Sequence, residues 1–256
     1  MDPATLIGFV VSMVALLIFM IMEGADPMSL LFLPAIILVI VATFGAAMSS
    51  QTMDDLKKLP AWFKMAVMPA KVPPATTQIQ TLVGLAEKAR KEGLLALEAQ
   101  VKAIEDPFLK RGLQMGIDGT DPEELRAVLE SEISAKKAED KVAAKFMNAM
   151  GGYAPTIGIV GCIVGLMNVM GNLSNPEALG PMIAAAFVAT LWGVMAANFW
   201  FLPMGAKILR VSELQAAQME LLVEGIAEIQ AGTSPRAVRL KLTSLIPPSE
   251  LAKEAA

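Results

Sequence analysis

The sequence has 256 residues, of which 55% are hydrophobic and 18% charged, and its mean hydropathy is +0.55. Soluble domains average about 45–50% apolar and about 25% charged residues, so this composition favours a membrane protein. The net charge of −4 argues against a general nucleic-acid binder. Histidine is absent and Cys162 is the single cysteine, which removes the commonest general base and any intrachain disulfide. Because no catalytic or metal-binding motif is recognisable, we expect neither an enzyme nor a bound metal or cofactor.

Four apolar segments of the chain contain no Asp, Glu, Lys or Arg: residues 4–22, 28–48, 153–173 and 178–204. About 20 apolar residues in a helix are enough to cross a hydrocarbon core about 30 Å thick. Buried helices of a soluble core are the alternative interpretation, but four such segments in one chain argue against it. The sequence therefore predicts an all-α integral membrane protein with four transmembrane helices.

The positive charges indicate how the chain would be oriented in the membrane. Every Lys and Arg lies between Lys57 and Lys145 or from Lys207 onward, whereas the two short connectors carry only acidic residues, Glu23, Asp26 and Glu177. Cytoplasmic loops are enriched in Lys and Arg, so we expect the long loop and both termini to be cytoplasmic.

This topology divides the chain into four parts. Residues 1–48 are expected to form a first transmembrane hairpin and residues 151–205 a second one. A helical cytoplasmic domain, residues 49–150, is inserted between spans two and three, and residues 206–256 form a cytoplasmic C-terminal helix and tail.

The sequence pattern of the polar part of the chain predicts several consecutive helices. Apolar residues recur with helical spacing from Thr76 onward, and helix breaks or restarts are predicted at Gly93, Asp106–Pro107, Asp118–Gly119 and Asp121–Pro122. We expect a long helix after Asp121 to continue through Gly151–Gly152 into the third span. Another helix, about residues 206–230, should begin after Pro203 ends the fourth span.

Small residues in the third and fourth spans predict close helix packing. Gly158, Gly161 and Gly165 are three and four residues apart, and Gly193 lies in the fourth span among other small residues. Such spacing produces a smooth helix face that allows two transmembrane helices to approach closely.

The spans contain prolines but no Asp, Glu, Lys, Arg or His. Pro155 and Pro203 lie near the expected cytoplasmic ends of neighbouring helices, where kinks would allow changes in the membrane to be coupled to the cytoplasm. Cation transport through a membrane normally uses intramembrane carboxylates, so a second protein would have to provide one. The chain is therefore either half of an ion-driven complex or a membrane scaffold that conducts no ions.

A run of charged residues, 90–98, reads Arg90-Lys91-Glu92-Gly93-Leu94-Leu95-Ala96-Leu97-Glu98. Two interpretations are open: a solvated helix face, or a docking site for a charged partner.

Several stretches of the sequence resemble the MotA/PomA family of flagellar motor stator subunits, within the MotA/TolQ/ExbB superfamily. They are residues 90–98, Ala154-Pro155-Thr156-Ile157-Gly158-Ile159-Val160-Gly161, Ala189-Thr190-Leu191-Trp192-Gly193 and Phe201-Leu202-Pro203. The resemblance implies an inner-membrane subunit, five copies of which surround two copies of a MotB-like partner. The partner's single span supplies the ion-carrying aspartate, and ion flow turns the pentamer against the rotor.

The same resemblance implies roles for individual residues. Arg90 and Glu98 would bind the rotor protein FliG, Pro155 and Pro203 would couple conformational changes, and Thr190 would line the ion path. At the position of Cys162, sodium-type members typically carry threonine and proton-type members a small apolar residue. Cysteine behaves as a small hydrophobe, which favours protons as the transported ion.

An ExbB/TolQ-type subunit is the closest alternative in that superfamily, and it normally has three spans. The apolar segment at residues 28–48 argues against it. A non-conducting membrane scaffold is the second alternative.

Overall fold

The computed structural model describes residues 2–69 and 72–247, and no β-strand occurs among them. The α-helices of these residues are α1 (Pro3–Met22), α2 (Leu33–Ser49), α3 (Met53–Lys57), α4 (Leu59–Val67), α5 (Ala75–Glu92), α6 (Glu98–Ala103), α7 (Pro107–Ile117), α8 (Pro122–Gly171), α9 (Pro176–Met195), α10 (Leu202–Gln230) and α11 (Pro235–Ser244). Residues Pro27–Leu31 and Leu94–Leu97 form 3₁₀ turns, and Ala196–Phe201 form a π-helix. The predicted all-α class is confirmed.

The chain forms two compact units. The first unit consists of residues 1–70 and 140–210, and the second of residues 71–139 and 211–256. Residues 49–70 and 140–150, which the sequence assigns to the cytoplasmic domain, thus pack with the apolar segments in the first unit. Helices α8 and α10 contribute residues to both units.

The second apolar segment becomes helical later than its composition suggests. Asp26 caps the 3₁₀ turn by accepting a hydrogen bond from the Met28 amide, 2.9 Å away, and Phe32 is extended. Helix α2 begins only at Leu33, because Pro34 has no N–H to donate and is tolerated in the first turn. The helix has 17 residues, so the segment predicted at 28–48 is a 3₁₀ turn followed by a shorter α-helix.

Helix α8 runs for 50 residues without a break, which confirms the predicted continuation through Gly151–Gly152. Its start follows from Asp121, whose carboxylate accepts a hydrogen bond from the Glu123 amide at 2.9 Å. Pro155 lies inside the helix.

Residues 206–230 are helical as predicted, but no break separates them from the fourth apolar segment, because the chain stays helical from Pro176 to Gln230. A proline lacks an N–H and crowds the carbonyl four residues before it. The six π-helical residues Ala196–Phe201 immediately precede Leu202 and Pro203 and widen the helix at this point. The wider turn accommodates Pro203, so the helix continues beyond it.

Three helices are long and apolar enough to cross a membrane, as judged from length and composition in the described residues. They are Pro3–Met22, Pro122–Gly171 and the continuous helix Pro176–Gln230. Leu33–Ser49 is a shorter apolar helix.

The core of the second unit is a cluster of apolar side chains that includes residues of α5, α7, α8, α10 and α11. Two glycines make close packing possible in it. A Cβ atom on Gly112 would lie 2.5 Å from Cδ1 of Ile226, and one on Gly225 would lie 2.5 Å from Cδ1 of Leu82. Leu82 and Ile226 are buried, so each large side chain occupies the space that a glycine leaves.

Four charged side chains at the edge of this core form an ion-pair network: Arg126, Glu224, Glu228 and Lys241. Arg126 binds both carboxylate oxygens of Glu224, at 2.5 and 3.0 Å. Lys241 Nζ lies 2.9 Å from Glu224 and 2.5 Å from Glu228. Hydrogen bonding from the Arg126 guanidinium is the main cause that lowers the pKa of Glu224 to about 2.

We expect Glu224→Gln to make the protein less sensitive to acid. The folded-state pKa of about 2 lies below the ordinary value of 4.5, so the Glu224 carboxylate stabilises the fold above pH 4.5 and loses this effect toward pH 2. At pH 7 the variant should be less stable by roughly 1–2 kcal/mol after allowance for solvent screening. The thermal unfolding midpoint, measured from pH 7 to pH 3, should fall more steeply for the wild type than for Glu224→Gln.

Glu105→Gln is the matched control, since Glu105 is an exposed acid outside this network. Parallel pH curves for the wild type and Glu224→Gln would contradict the assigned role of the Glu224 ion pairs.

Candidate functional site

Helices α8 and α9 approach each other backbone to backbone at two glycines. A Cβ atom on Gly158 would lie 2.8 Å from the Ala189 carbonyl oxygen and 3.2 Å from Gly193 Cα. A Cβ atom on Gly193 would lie 2.6 Å from the Ala154 carbonyl oxygen. Real side-chain carbons do not approach this closely to a backbone, so only glycine permits the contact at either position.

The other two glycines predicted to support packing lie along the same contact. Cβ atoms on Gly161 and Gly165 would meet the Cβ atoms of Ala189 and Ala186 at 2.8 and 2.6 Å. Gly161 also faces Leu38 of α2. We call the four residues Gly158, Gly161, Gly165 and Gly193 the glycine seam.

Thr190 lies at this seam and is half-buried. Its Oγ1 donates a hydrogen bond to the Gly158 carbonyl oxygen across the two helices, at 3.3 Å. Cys162 is one helical turn beyond Gly158 on α8, with a free and half-buried thiol. The seam therefore presents hydroxyl and carbonyl oxygens but no carboxylate, and these groups can solvate a cation without accepting a proton at neutral pH.

The two predicted coupling prolines occupy different surroundings. Pro155 contacts the seam, because a Cβ atom on Gly193 would lie 3.2 Å from Pro155 Cα. Pro203 is exposed and follows the π-helix. One turn before Pro155, Gly151 meets the side chain of Leu202, at 2.5 Å from a Cβ position to Cδ2. The two helices that carry these prolines are thus in contact beside Pro155, at Gly193, and beside Pro203, at Leu202.

An ion pair of the first unit is not evident from the sequence. Lys207 Nζ lies 2.8 Å from the Asp2 carboxylate and donates a hydrogen bond to Thr5 Oγ1 at 2.6 Å. The Asp2 carboxylate also caps α1 through the Ala4 amide, at 2.9 Å. Hydrogen bonding from Lys207 lowers the pKa of Asp2. The only sequence signal was the opposite charge of two residues at the ends of two apolar segments.

Aromatic side chains connect α1 to the fourth apolar segment, and this contact was also missed. Trp200 stacks on Phe9, with ring centroids 5.5 Å apart, and on Trp192 at 5.8 Å. Trp192 Nε1 donates a hydrogen bond to the Leu30 carbonyl oxygen at 2.7 Å. These contacts hold the first helix and the connector before α2 against the helix that carries Thr190.

The charged run, residues 90–98, is a surface turn of the second unit. Arg90 is exposed in the last turn of α5, which ends at Gly93 with a φ of 87°. Glu98 is the exposed first residue of α6 and forms a surface ion pair with Lys102 at 2.9 Å. Leu97 between them is fully buried and anchors the turn to the core. We call residues 90–98 the charged turn.

Comparison with known proteins identifies the family to which a chain with this helix contact belongs. The sequence model of the MotA/TolQ/ExbB proton channel family matches residues 100–221. Motility protein A of Bacillus subtilis is 32% identical over 99% of this chain and 94% of its own length. Motility protein A of Helicobacter pylori is 36% identical over 98% of this chain and 97% of its own length.

Two solved structures show the same fold. The Campylobacter jejuni MotAB structure matches with a TM-score of 0.92 and 29% identity, over 97% of both chains. The flagellar MotAB stator complex from Bacillus subtilis matches with a TM-score of 0.91 and 32% identity, over 99% of this chain and 100% of that chain. The chain belongs to the MotA/TolQ/ExbB proton channel family. These matches confirm the predicted class of flagellar motor stator subunit and favour it over the ExbB/TolQ-type alternative.

We expect Gly193→Ala to destabilise the contact between α8 and α9 by about 1–3 kcal/mol, because the added methyl group meets the backbone of Ala154. Gly152→Ala is the matched control on α8, where an added Cβ meets no atom within 4 Å. The thermal unfolding midpoint of the purified, detergent-solubilised chain should be lower for Gly193→Ala than for Gly152→Ala. Equal stability of Gly193→Ala and Gly152→Ala would contradict the close helix approach.

Proposed function

We propose that this chain is the ion-conducting stator subunit of a bacterial flagellar motor and couples proton flow to torque on the rotor. The observation that carries the proposal is the full-length likeness to MotAB stator complexes in a chain whose apolar helices hold no carboxylate. The subunit catalyses no chemical reaction and needs no cofactor other than the transported ion.

In this proposal the chain crosses the inner membrane four times. Helix α2, with 17 residues, is at the short end of the range of about 17–25 residues that span a bilayer. The distribution of Lys and Arg supports cytoplasmic N- and C-termini and a cytoplasmic location of the charged turn. The cytoplasmic domain would be inserted between the second and third spans.

The ion path would require a partner. Cations crossing a membrane need a group that replaces their hydration or binds the proton, and the apolar segments offer only neutral oxygens such as those of Thr190 and the Gly158 carbonyl. A MotB-like single-span subunit would supply the ion-carrying aspartate. The similar solved structures are of MotAB, which supports such an assembly. Five copies of the chain would surround two copies of the partner.

Thr190 and Cys162 would line this path on the seam. The Thr190 hydroxyl is held at the α8–α9 contact by its bond to the Gly158 carbonyl. The thiol of Cys162 is a weak ligand for sodium compared with a hydroxyl. Protons are therefore the preferred ion in this proposal.

Torque would be transmitted at the charged turn through oppositely charged residues of FliG. Arg90 and Glu98 are exposed on either side of Gly93, so both charges are accessible to a partner. Charged contacts of this kind guide encounter and orientation more than they add affinity. Pro155 and Pro203 would transmit a conformational change from the seam. Each proline removes a backbone hydrogen bond from its own helix, and the two helices are in contact.

We expect a bacterium that lacks its own stator to swim in sodium-free medium when it is given this chain and a MotB-like partner. The reason is that the seam provides no threonine at position 162 for a sodium ion. Swimming speed with and without sodium is the measurement, and cells given the partner alone are the control. Swimming that requires sodium would overturn the proton assignment, and no swimming despite membrane assembly with a compatible rotor would contradict the stator function.

We expect the double variant Arg90→Glu, Glu98→Lys to assemble normally but to swim at less than about half of the wild-type speed, because both contacts with FliG become repulsive. Membrane level and co-purification with the partner report assembly, and tracking of single cells reports speed. Glu105→Lys, an exposed charge change outside the charged turn, serves as the control. A double variant that swims like the wild type would exclude the charged turn as the site of rotor contact.

A further inference from the structure

Helix α11 packs against α5, the helix that carries Arg90. The chain reverses at Gly232, which has a φ of 69°, and α11 then places Val238 and Leu242 in the core of the second unit. Both side chains are fully buried, in the same cluster as Leu82 of α5. The C-terminal helix is therefore a direct support of α5.

Apolar contact alone leaves the rotation of so short a helix weakly defined. Helix α11 has 10 residues and buries two side chains one turn apart. Hydrophobic attraction is proportional to area and has no preferred direction, so a small rotation of α11 costs little apolar burial. A second, directional contact is needed to fix how α11 lies on α5.

Lys241 makes that directional contact. It is adjacent to Leu242 and therefore points about 100° away from it around the helix. Its ammonium group binds Glu228 at 2.5 Å and Glu224 at 2.9 Å, both on α10. Glu224 is in turn held by two hydrogen bonds from Arg126 on α8. Two helices, α10 directly and α8 through Arg126, thus fix one lysine of α11 by defined geometry.

At its α5 end the charged turn meets the core through Ala89 and the half-buried Leu94, whereas its other residues there are exposed. A Cβ atom on Gly93 would meet no atom within 4 Å, and Arg90 and Leu95 are exposed. The direction in which Arg90 points is therefore set by α5, and α5 is supported by α11.

We propose that Lys241 is a positioning residue, which orients α11 and α5 so that the charged turn meets the rotor. The role in rotor contact rests on the proposed function, whereas the structural role does not. The Lys241 side chain is 45% exposed, so its own ion pairs add less stability than the Arg126–Glu224 pair and serve mainly to set orientation. Lys241→Met keeps most of the side-chain length and removes the charge, and Lys241→Arg keeps the charge.

Hydrogen exchange of the purified stator tests the structural part. In Lys241→Met, amides of residues 86–98 and of α11 should exchange several-fold faster, whereas those of α7, residues 107–117, should not change. Lys241→Arg should restore slow exchange, and Lys137→Met, an exposed lysine of the same unit, should have no effect. Unchanged exchange at residues 86–98 would overturn the proposal. Faster exchange throughout the unit, α7 included, would also overturn it, because that result indicates general destabilisation.

A double-mutant cycle on swimming speed tests the functional part. If Lys241 acts through Arg90, Lys241→Met should slow cells that carry Arg90 but cause no further loss in an Arg90→Ala background. Equal losses in both backgrounds would show that Lys241 acts elsewhere and would overturn the proposal. Wild-type cells that fail to swim would contradict the proposed stator function, and the exchange measurement then decides the positioning role by itself.

Discussion

The backbone contact between α8 and α9 at Gly158 and Gly193 is the constraint on which the rest of the first unit depends. Each glycine fits against backbone atoms of the other helix, so the two helices have almost no freedom to shift. This approach brings the Thr190 hydroxyl within hydrogen-bond distance of the Gly158 carbonyl. The Thr190 hydroxyl and the Gly158 carbonyl thereby meet between two apolar helix segments.

The helix that carries Gly193 becomes irregular between the seam and Pro203. A proline conflicts with the turn that precedes it in a helix. The π-helix Ala196–Phe201 resolves this conflict, and Asn198 donates a hydrogen bond from its side chain to the Val194 carbonyl, at 2.8 Å. Irregular geometry is thus placed between the seam and Lys207, which is anchored by Asp2. Movement in this helix is easiest where its hydrogen bonding is already altered.

Local chemistry made much of the fold predictable, including the Asp121 cap, the Gly93 break and the spacing of the seam glycines. The start of α2 and the continuation past Pro203 were not predicted, because each depends on how proline is accommodated in three dimensions. The Arg126–Glu224 ion pair could not be predicted either, since the two residues are 98 positions apart in the sequence. For the candidate site, the sequence could name residues but not their contacts, as the Thr190–Gly158 hydrogen bond shows.

Charge in the second unit serves two purposes that the sequence does not distinguish. Hydrogen bonds from Arg126 and, less strongly, from Lys241 lower the pKa of Glu224, and hydrogen bonds to Glu228 and Glu224 raise the pKa of Lys241, so both groups stay charged at neutral pH. Arg90 and Glu98 are exposed instead, where a charge contributes little to folding and remains available for recognition. Exposed charges keep a defined direction only if the helices that support them do not rotate. The paired charges provide that resistance, since rotation of α11 would break defined hydrogen bonds rather than slide along an apolar surface.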